Sequence, residues 1–320
     1  MRAMALARCA IARHSLRKIT LVGNKSALHK IKQINSSDRV NLIEMDDRAG
    51  ESNFRQQVLK ALEQVNFSKL IVDTFPRGIV GELLPVLNTS GITKIFVHRD
   101  IVPEYITRKT VLESVEKFEL VLVPGEDAPL ANMQISRRTH PWVLLDSFDL
   151  CSREEARDIL KCPDESRPLC LVSLSGKPAE KEMFSQIACE LMDRLKDRCA
   201  IAICGDVPPK YHSRLQSRQI DYWPMMKLLA GVDLLVGAGG YNTFYEAKLS
   251  QTELHSLPQK RLYDRQWKRV GDVRSYGSAA ELIFGLEKRL KLSMGRIMNT
   301  DPISYSNGVH RAVDAIEELN

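Results

Sequence analysis

Apolar residues fall along this chain in two alternating patterns. Short runs of strand length recur through the first half, at Ile19–Val22, Asn41–Met45, Lys69–Asp73, Lys94–His98, Glu119–Val123 and Trp142–Leu145. Between most of them lie segments of helical period, such as Phe54–Val65, with Val58, Leu59, Leu62 and Val65 on one face, and Tyr105–Phe118. Strands alternating with helices predict βαβ units and a largely parallel sheet. Runs such as Ile71–Val72 and Leu120–Val123 are continuously apolar, which suits strands covered on both faces.

A break follows. Ser152-Arg-Glu-Glu155 is a capping-box pattern that opens a short helix. Cys162-Pro-Asp-Glu-Ser-Arg-Pro168 is polar and bounded by prolines, the composition of a linker. The pattern then restarts with a strand at Leu169–Ser173, a helix at Glu180–Lys196, strands at Cys199–Cys204 and Gln219–Tyr222, a helix at Met225–Val232 and a strand at Asp233–Gly237. A chain of 320 residues exceeds what one hydrophobic core ordinarily supports. The expected organisation is therefore α/β with two Rossmann-like domains, 1–150 and 169–320, joined by a linker at 151–168.

Charge changes this picture little. The net charge is +6, and the two local excesses are residues 1–37, with eight basic and no acidic residues, and 248–274, with seven basic and three acidic. Each suits a phosphate, an anionic membrane surface or a solvated face. Neither half of the chain has the charge balance of a nucleic-acid-binding arm, and no nucleic-acid partner is expected. The seven cysteines contain no Cys-x-x-Cys pair, and several sit in apolar stretches. That usage points to reduced, buried thiols in a cytoplasmic protein rather than to a disulfide framework or zinc site. No apolar run approaches the roughly 20 residues that cross a bilayer. Met1–Lys18, Arg-rich and free of acidic residues, reads either as an organelle transit peptide or as the first helix of a domain.

The chemistry concentrates in Asp233-Leu-Leu-Val-Gly-Ala-Gly-Gly-Tyr-Asn-Thr-Phe-Tyr-Glu246. A strand ends at Val236 or Gly237, Gly237, Gly239 and Gly240 make a turn that lets backbone approach a ligand, and a helix begins near Asn242. Free amide N–H groups and the helix dipole at such a start suit a diphosphate, and open α/β sheets bind ligands at the carboxyl ends of their strands. Glu246, one turn in, can accept hydrogen bonds from two ribose hydroxyls. It can equally close a capping box with Thr243, and spacing does not choose between the two.

Downstream, Leu257-Pro258 ends an extended piece and Gln259-Lys-Arg-Leu-Tyr-Asp-Arg-Gln266 leads into a basic helix ending at Val270. The two segments together resemble the nucleotide-sugar signature of GT-B glycosyltransferases similar to the peptidoglycan lipid II N-acetylglucosaminyltransferase, the MurG-like group. Gly239, Gly240, Thr243, Glu246, Pro258, Asp264 and Gln266 match that signature. The resemblance implies that Glu246 holds the ribose, that Gly240, Asn242 and Thr243 face the diphosphate, and that Asp264 and Gln266 face the donor sugar. It also implies a second loop at Ser173-Leu-Ser-Gly176, so that Ser175 and Gly176 contact the nucleotide. The chain departs from the family at Leu249–Pro258, where a small Gly-x-Pro turn is usual.

GT-B acceptor domains open with a strand, a glycine-rich loop and a helix of the type Arg-x-x-Ala-Leu-Ala, and Met1-Arg-Ala-Met-Ala-Leu-Ala-Arg-Cys-Ala resembles that helix. On this reading the first domain lacks its opening strand and loop. It is preferred to the transit peptide because the next strand follows at the right distance. Asp73-Thr-Phe-Pro-Arg-Gly-Ile-Val-Gly-Glu82 and Phe96-Val-His-Arg-Asp100 each follow a strand. They offer Arg77 and Arg99 to a phosphate or acceptor, and Asp100 and Asp73 as weak candidates for the base. Their plainer roles are helix caps for the aspartates and an ion pair for Arg99, while His98 is expected to pack. No Asp-x-Asp metal motif occurs, and the resemblance implies metal-independent transfer from a UDP-sugar co-substrate with no further cofactor. The expected activity is sugar transfer to an acceptor hydroxyl. The alternatives are a silent subunit whose exposed sheet edge a protein partner covers, or a nucleotide-sugar hydrolase or epimerase. Lys260, Arg261, Arg265, Lys268 and Arg269 suit either peripheral membrane contact or the donor diphosphate.

Overall fold

The computed structural model describes residues 1–13, 18–34, 37–46, 48–164, 166–292 and 304–319. Two compact units emerge, Met1–Leu144 with Asn307–Asn320, and Leu145–Ser306.

The first unit runs α1 (Arg2–Arg13), β1 (Ile19–Asn24), α2 (Lys25–Ile34), β2 (Val40–Met45), α3 (Glu51–Glu63), β3 (Lys69–Asp73), α4 (Leu84–Leu87), β4 (Thr93–Val97), α5 (Pro103–Ile106), α6 (Lys109–Val115), β5 (Leu120–Pro124) and β6 (Ser136–Thr139). Its strands are parallel but form two sheets, β1 with β2 and, separately, β3-β4-β5-β6 in that order. Among the described residues, β1 and β3 each pair with a strand on one side only, and their Val22 and Ile71 are exposed. Asp73, at the end of β3, receives the side chain of Arg2 from α1.

Two expectations fail here for physical reasons. The helix expected over Tyr105–Phe118 is broken into α5 and α6, because Arg108 turns to an extended backbone. The run Trp142–Leu145 is buried but is not a strand. Side chains satisfy its backbone instead. Val143 donates to Asn307 Oδ1 and accepts from Asn307 Nδ2, Arg8 donates to the Leu144 carbonyl, and Tyr305 donates to that of Leu145. The sheet is closed by β6, a polar edge strand that carries no apolar signal.

The second unit contains α7 (Arg153–Ile159), β7 (Leu169–Leu174), α8 (Pro178–Leu195), β8 (Ala200–Gly205), α9 (His212–Leu215), β9 (Gln219–Ile220), β10 (Leu234–Gly237), α10 (Tyr241–Leu249), β11 (Glu253–Ser256), α11 (Gln266–Arg269), β12 (Arg274–Ser275) and α12 (Ala279–Leu292). Its six parallel strands lie in the order β12-β11-β10-β7-β8-β9. Read from β7, this is the doubly wound 3-2-1-4-5-6 arrangement, with its topological switch between β7 and β10. β7 and β10 are buried throughout, as their uninterrupted apolar sequences require.

The expected boundaries shift at two places. α7 lies within the expected linker, yet it belongs to the second unit. Its Arg157 is buried and donates to the Asp233 carboxylate and to the carbonyls of Cys162, Asp164, Arg167 and Gly231. Glu165, inside the same stretch, lies outside the described residues. The last helix, α13 (Val309–Glu317), expected with the second domain, packs instead in the first unit. Its Val309, Ala312, Val313 and Ile316 share one core with Ala5, Leu6, Cys9 and Ala10 of α1 and with Trp142. Each larger apolar side chain so buried contributes about 1.5–3 kcal/mol. α1 is therefore an integral helix of the first unit, as the domain-helix reading expects. Residues 14–17 of that N-terminal segment lie outside the described residues. Among the described residues, no helix is long and apolar enough to cross a membrane.

Candidate functional site

The switch point decides where to look. At the carboxyl end of β7 the chain turns through Ser175 and Gly176, both exposed, into the 18-residue helix α8. At the carboxyl end of β10 it turns through Ala238, Gly239 and Gly240 into α10. Both glycine-bearing loops thus flank the position where a doubly wound sheet leaves a crevice.

Gly176 has φ +101°, and a Cβ there would lie 2.0 Å from Glu180 Oε2. Gly239 permits close approach rather than unusual φ, since a Cβ there would meet Val270 Cγ1 at 2.6 Å and Ser256 Oγ at 3.3 Å. α10 starts at Tyr241, with Gly240 as N-cap and no side-chain cap. The Thr243–Glu246 capping box is therefore not formed, which corrects that alternative. Among the described residues, the amide N–H groups of Gly239, Gly240, Asn242 and Thr243 have no backbone partner. Free donors at the start of a helix make an anion site.

Asn242, Thr243 and Glu246 stand three and four residues apart, on one face of α10. Glu246 is buried, and no side chain among the described residues hydrogen-bonds or ion-pairs with its carboxylate. Burial pushes its pKa up to about 7. Ser256, wholly buried at the end of β11, has a hydroxyl with no hydrogen-bond partner among the described residues. An orphan hydroxyl at the floor of a glycine turn is unusual in a packed protein and suits a ligand contact.

The loop after β11 lies against the same turn. Gln266 is buried, accepts the Gln259 amide N–H at 2.8 Å and donates to Asp264 Oδ2 at 3.4 Å. Its amide thus bridges Gln259 and Asp264 and lies beside the Gly240 turn. Asp264 is more open, with Oδ1 held by Arg269 at 2.7 Å. Arg261 grips Glu180 in a two-pronged ion pair, its Nη2 at 2.6 Å from Oε2, and this holds the Glu180 carboxyl below the usual glutamate range. Of the basic cluster read as a membrane or diphosphate surface, Arg261 and Arg269 are thus turned inward, while Lys260 and Lys268 are exposed. Ser256 and Glu180 carried no sequence signal as site residues, and Arg261 and Arg269 were legible only as members of a basic cluster, because their placement depends on contacts made 17 to 81 residues away. A cavity of about 350 Å³ lined by Ala230, Asp233, Ser250 and Thr252 lies at the amino ends of β10 and β11, the opposite end of the strands from these loops.

In the first unit, Asp73 is paired with Arg2 at 2.8 Å. Burial alone would raise its carboxyl, but the guanidinium outweighs this and holds it below the ordinary aspartate value. Thr74, beside it, takes a left-handed backbone at φ 73° and bonds both Asp73 and Arg2, the kind of strained position that clusters at functional turns. Arg77 is half-buried and donates to Thr110 Oγ1 at 3.1 Å. Glu82 accepts the amides of Ile79 and Val80 and shapes that turn. Asp100 is buried after β4, its backbone N–H held by Glu126 Oε2 at 2.8 Å, and Arg99 beside it is half-buried. Asp73 thus serves as an ion-pair partner, and the N-cap of α5 is Val102 rather than Asp100, so neither aspartate plays the capping role weighed for it. His98 packs against Phe96, its Nε2 accepts the Leu130 amide N–H at 3.1 Å, and burial pushes its pKa down to about 4.

No protein-family model and no curated protein sequence matches the chain. Solved structures do match over nearly its whole length. The glycotransferase of kitacinnamycin is 14% identical, with 99% of this chain and 94% of that one covered and a TM-score of 0.58. MurG of Acinetobacter baumannii is 11% identical, with 99% and 95% covered and a TM-score of 0.57. The UDP-GlcNAc 2-epimerase of Methanocaldococcus jannaschii is 12% identical, with 99% and 96% covered and a TM-score of 0.58. At such identities the likeness is one of fold, and that fold is the two-domain α/β GT-B fold.

Proposed function

We propose that the chain is a glycosyltransferase that moves a sugar from a UDP-type donor to an acceptor hydroxyl. The observation that carries this reading is the joint placement of a free-amide helix start at Gly240, an unpaired carboxylate at Glu246 and the Asp264 loop at the switch of a doubly wound sheet. In this reading the amides of Gly240, Asn242 and Thr243 take the diphosphate, with Ser175 and Gly176 on its other flank. Glu246 takes the ribose hydroxyls and Asp264 meets the sugar. Charge that develops on the departing diphosphate is met by pre-oriented N–H dipoles, which need no reorganisation during reaction. A general base works best with a pKa near the working pH. The Arg2 pair disfavours Asp73, which leaves Asp100 as the assigned base, with Arg77 and Arg99 assigned to the acceptor side.

A second reading is a binding subunit completed by a partner chain. It is favoured by the pairing of β1 and β3 on one side only among the described residues, since a strand edge without a neighbouring strand can take on another. One experiment separates these readings from a hydrolase or epimerase on the same fold. UDP binding to the purified chain is measured by calorimetry, and UDP-N-acetylglucosamine is then incubated with it and followed by NMR. Binding in the micromolar range with sugar transfer on addition of an acceptor is the expected result. Binding without turnover favours the partner-dependent subunit, and free sugar or an epimer favours the hydrolase or epimerase. Absence of UDP binding overturns the nucleotide-sugar reading.

A further inference from the structure

Arg261 and Glu180 join two loops that the sheet keeps apart. β7, β10 and β11 are neighbours in that order and all parallel, so the loops that follow them leave the same edge. Adjacent strands lie about 4.8 Å apart, which sets the ends of β7 and β11 about 10 Å from each other with the end of β10 between them. Glu180, in the first turn of α8, comes from the β7 side, and Arg261, ahead of α11, comes from the β11 side. Their ion pair therefore links the two flanks of the Gly239–Gly240 turn.

The Glu180 carboxylate lies in surroundings made for an anion. Its Oε2 accepts Arg261 Nη2 at 2.6 Å and the Lys177 N–H at 3.3 Å, and its Oε1 accepts Arg261 Nη1. It rests directly on the Gly176 backbone, where a Cβ would stand 2.0 Å from Oε2 and 3.5 Å from Arg261 Nη2. The guanidinium is thus packed against Gly176, one of the two residues assigned above to the far flank of the diphosphate. A carboxylate and a phosphoryl group both present paired oxygens that the planar fork of an arginine can grip, so one can replace the other on the same two N–H groups. The Arg261 side chain is 22% exposed, and the fork borders solvent rather than lying sealed in the core.

We propose that Glu180 is an internal substitute for the ligand's phosphate: it holds Arg261 in the free protein, and when the donor binds, a phosphoryl group displaces the carboxylate and takes over the guanidinium. Arg261 is then a diphosphate-binding residue and Glu180 a built-in competitor that lowers the affinity for it. The proposal rests on the nucleotide-sugar reading above and adds to it the cation that meets the diphosphate.

The test is calorimetric titration of UDP into the wild type, Glu180→Gln, Arg261→Gln and the double variant. Competition and simple bracing of the two loops predict opposite signs for Glu180→Gln. Under competition, Glu180→Gln binds UDP about tenfold more tightly, because the guanidinium no longer has to leave a charged partner, and Arg261→Gln binds about tenfold more weakly. The double variant matches Arg261→Gln within about twofold, since no guanidinium is left to compete for. If Glu180→Gln fails to fold, Glu180→Asp, which keeps the charge but is one methylene short of the fork, takes its place with tighter binding again expected. A Glu180 variant that binds UDP as the wild type does or more weakly, or an Arg261→Gln of unchanged affinity, overturns the proposal alone. A wild type that does not bind UDP overturns it together with the reading on which it rests.

Discussion

Glu246→Gln is expected to stabilise the protein at pH 8 by about 3 kcal/mol and at the same time to weaken UDP binding about a hundredfold. The first effect follows from the upward shift to about 7, against an ordinary glutamate value of 4.5, at about 1.4 kcal/mol per pH unit. Between pH 4.5 and 7 the folded chain keeps a proton on Glu246 that the unfolded chain has released. The folded state therefore binds more protons, and unfolding free energy falls as pH rises through this window and is flat above it. Glutamine removes that slope, so the two proteins have similar stability at pH 4.5 and diverge up to pH 8. The second effect follows from the proposed role, in which the ionised carboxylate accepts two ribose hydroxyls and each charge-assisted bond is worth about 1.5 kcal/mol or more. Binding then requires deprotonation, so UDP affinity drops about tenfold per pH unit below 7, and proton release appears as a buffer-dependent calorimetric enthalpy near pH 7. Thermal melts of both proteins from pH 5 to 8, with titrations at each pH, check the pair of effects. Equal melting at pH 8 would show that the carboxylate is well solvated. Unchanged UDP affinity would remove the ribose from Glu246.

The turn that forms the candidate site was legible in sequence, while the contacts that support it were not. Gly239 and Gly240 stand out locally as a glycine turn between an apolar strand and a helix, whereas Glu246 was open between a ribose contact and a capping box until the structure showed it buried and uncapped. The switch-point strands β7 and β10 stood out as well, through unbroken apolar runs, and β3 was read to the residue because Lys69–Asp73 is bounded by polar segments. Arg269 and Ser256 did not, because a buried arginine and an orphan hydroxyl look like surface residues until the sheet brings Gly239 beside them. The split of the Tyr105–Phe118 helix and the loss of the Trp142–Leu145 strand have the same origin. Their apolar spacing was read correctly as burial, but the backbone partners are set by Arg108 geometry and by Asn307, 164 residues from Val143. The position of α13 in the first unit was also hidden, since an amphipathic helix records which face is buried and not which core receives it.

Asp233→Ala is expected to destabilise the second unit by about 3–5 kcal/mol, enough to populate its unfolded state under mild denaturant. Asp233 stands just before β10 with its side chain almost wholly buried. It accepts Arg153 Nη2 at 2.8 Å, Arg157 Nη1 at 3.1 Å and the Leu169 amide at 2.7 Å. One carboxylate thus ties α7 and the first residue of β7 to the strand that carries the glycine turn. Alanine leaves the Arg157 guanidinium, 1% exposed, without its counter-charge, and an uncompensated buried charge carries a penalty of that size. Asparagine keeps one acceptor and loses the charge, so a smaller loss of about 1–3 kcal/mol is expected. Replacing both members of a buried pair by apolar residues is often neutral, but not here. Asp233→Leu with Arg157→Met would also orphan the Leu169 amide and strip the carbonyls of Cys162, Asp164, Arg167 and Gly231 of their donor. The double variant should therefore stay at least about 2 kcal/mol below wild type. Urea denaturation followed by tryptophan fluorescence and far-UV dichroism reads all three variants. A double variant as stable as wild type would mean that the pair only balances charge, and that the 157–168 segment holds its course without it.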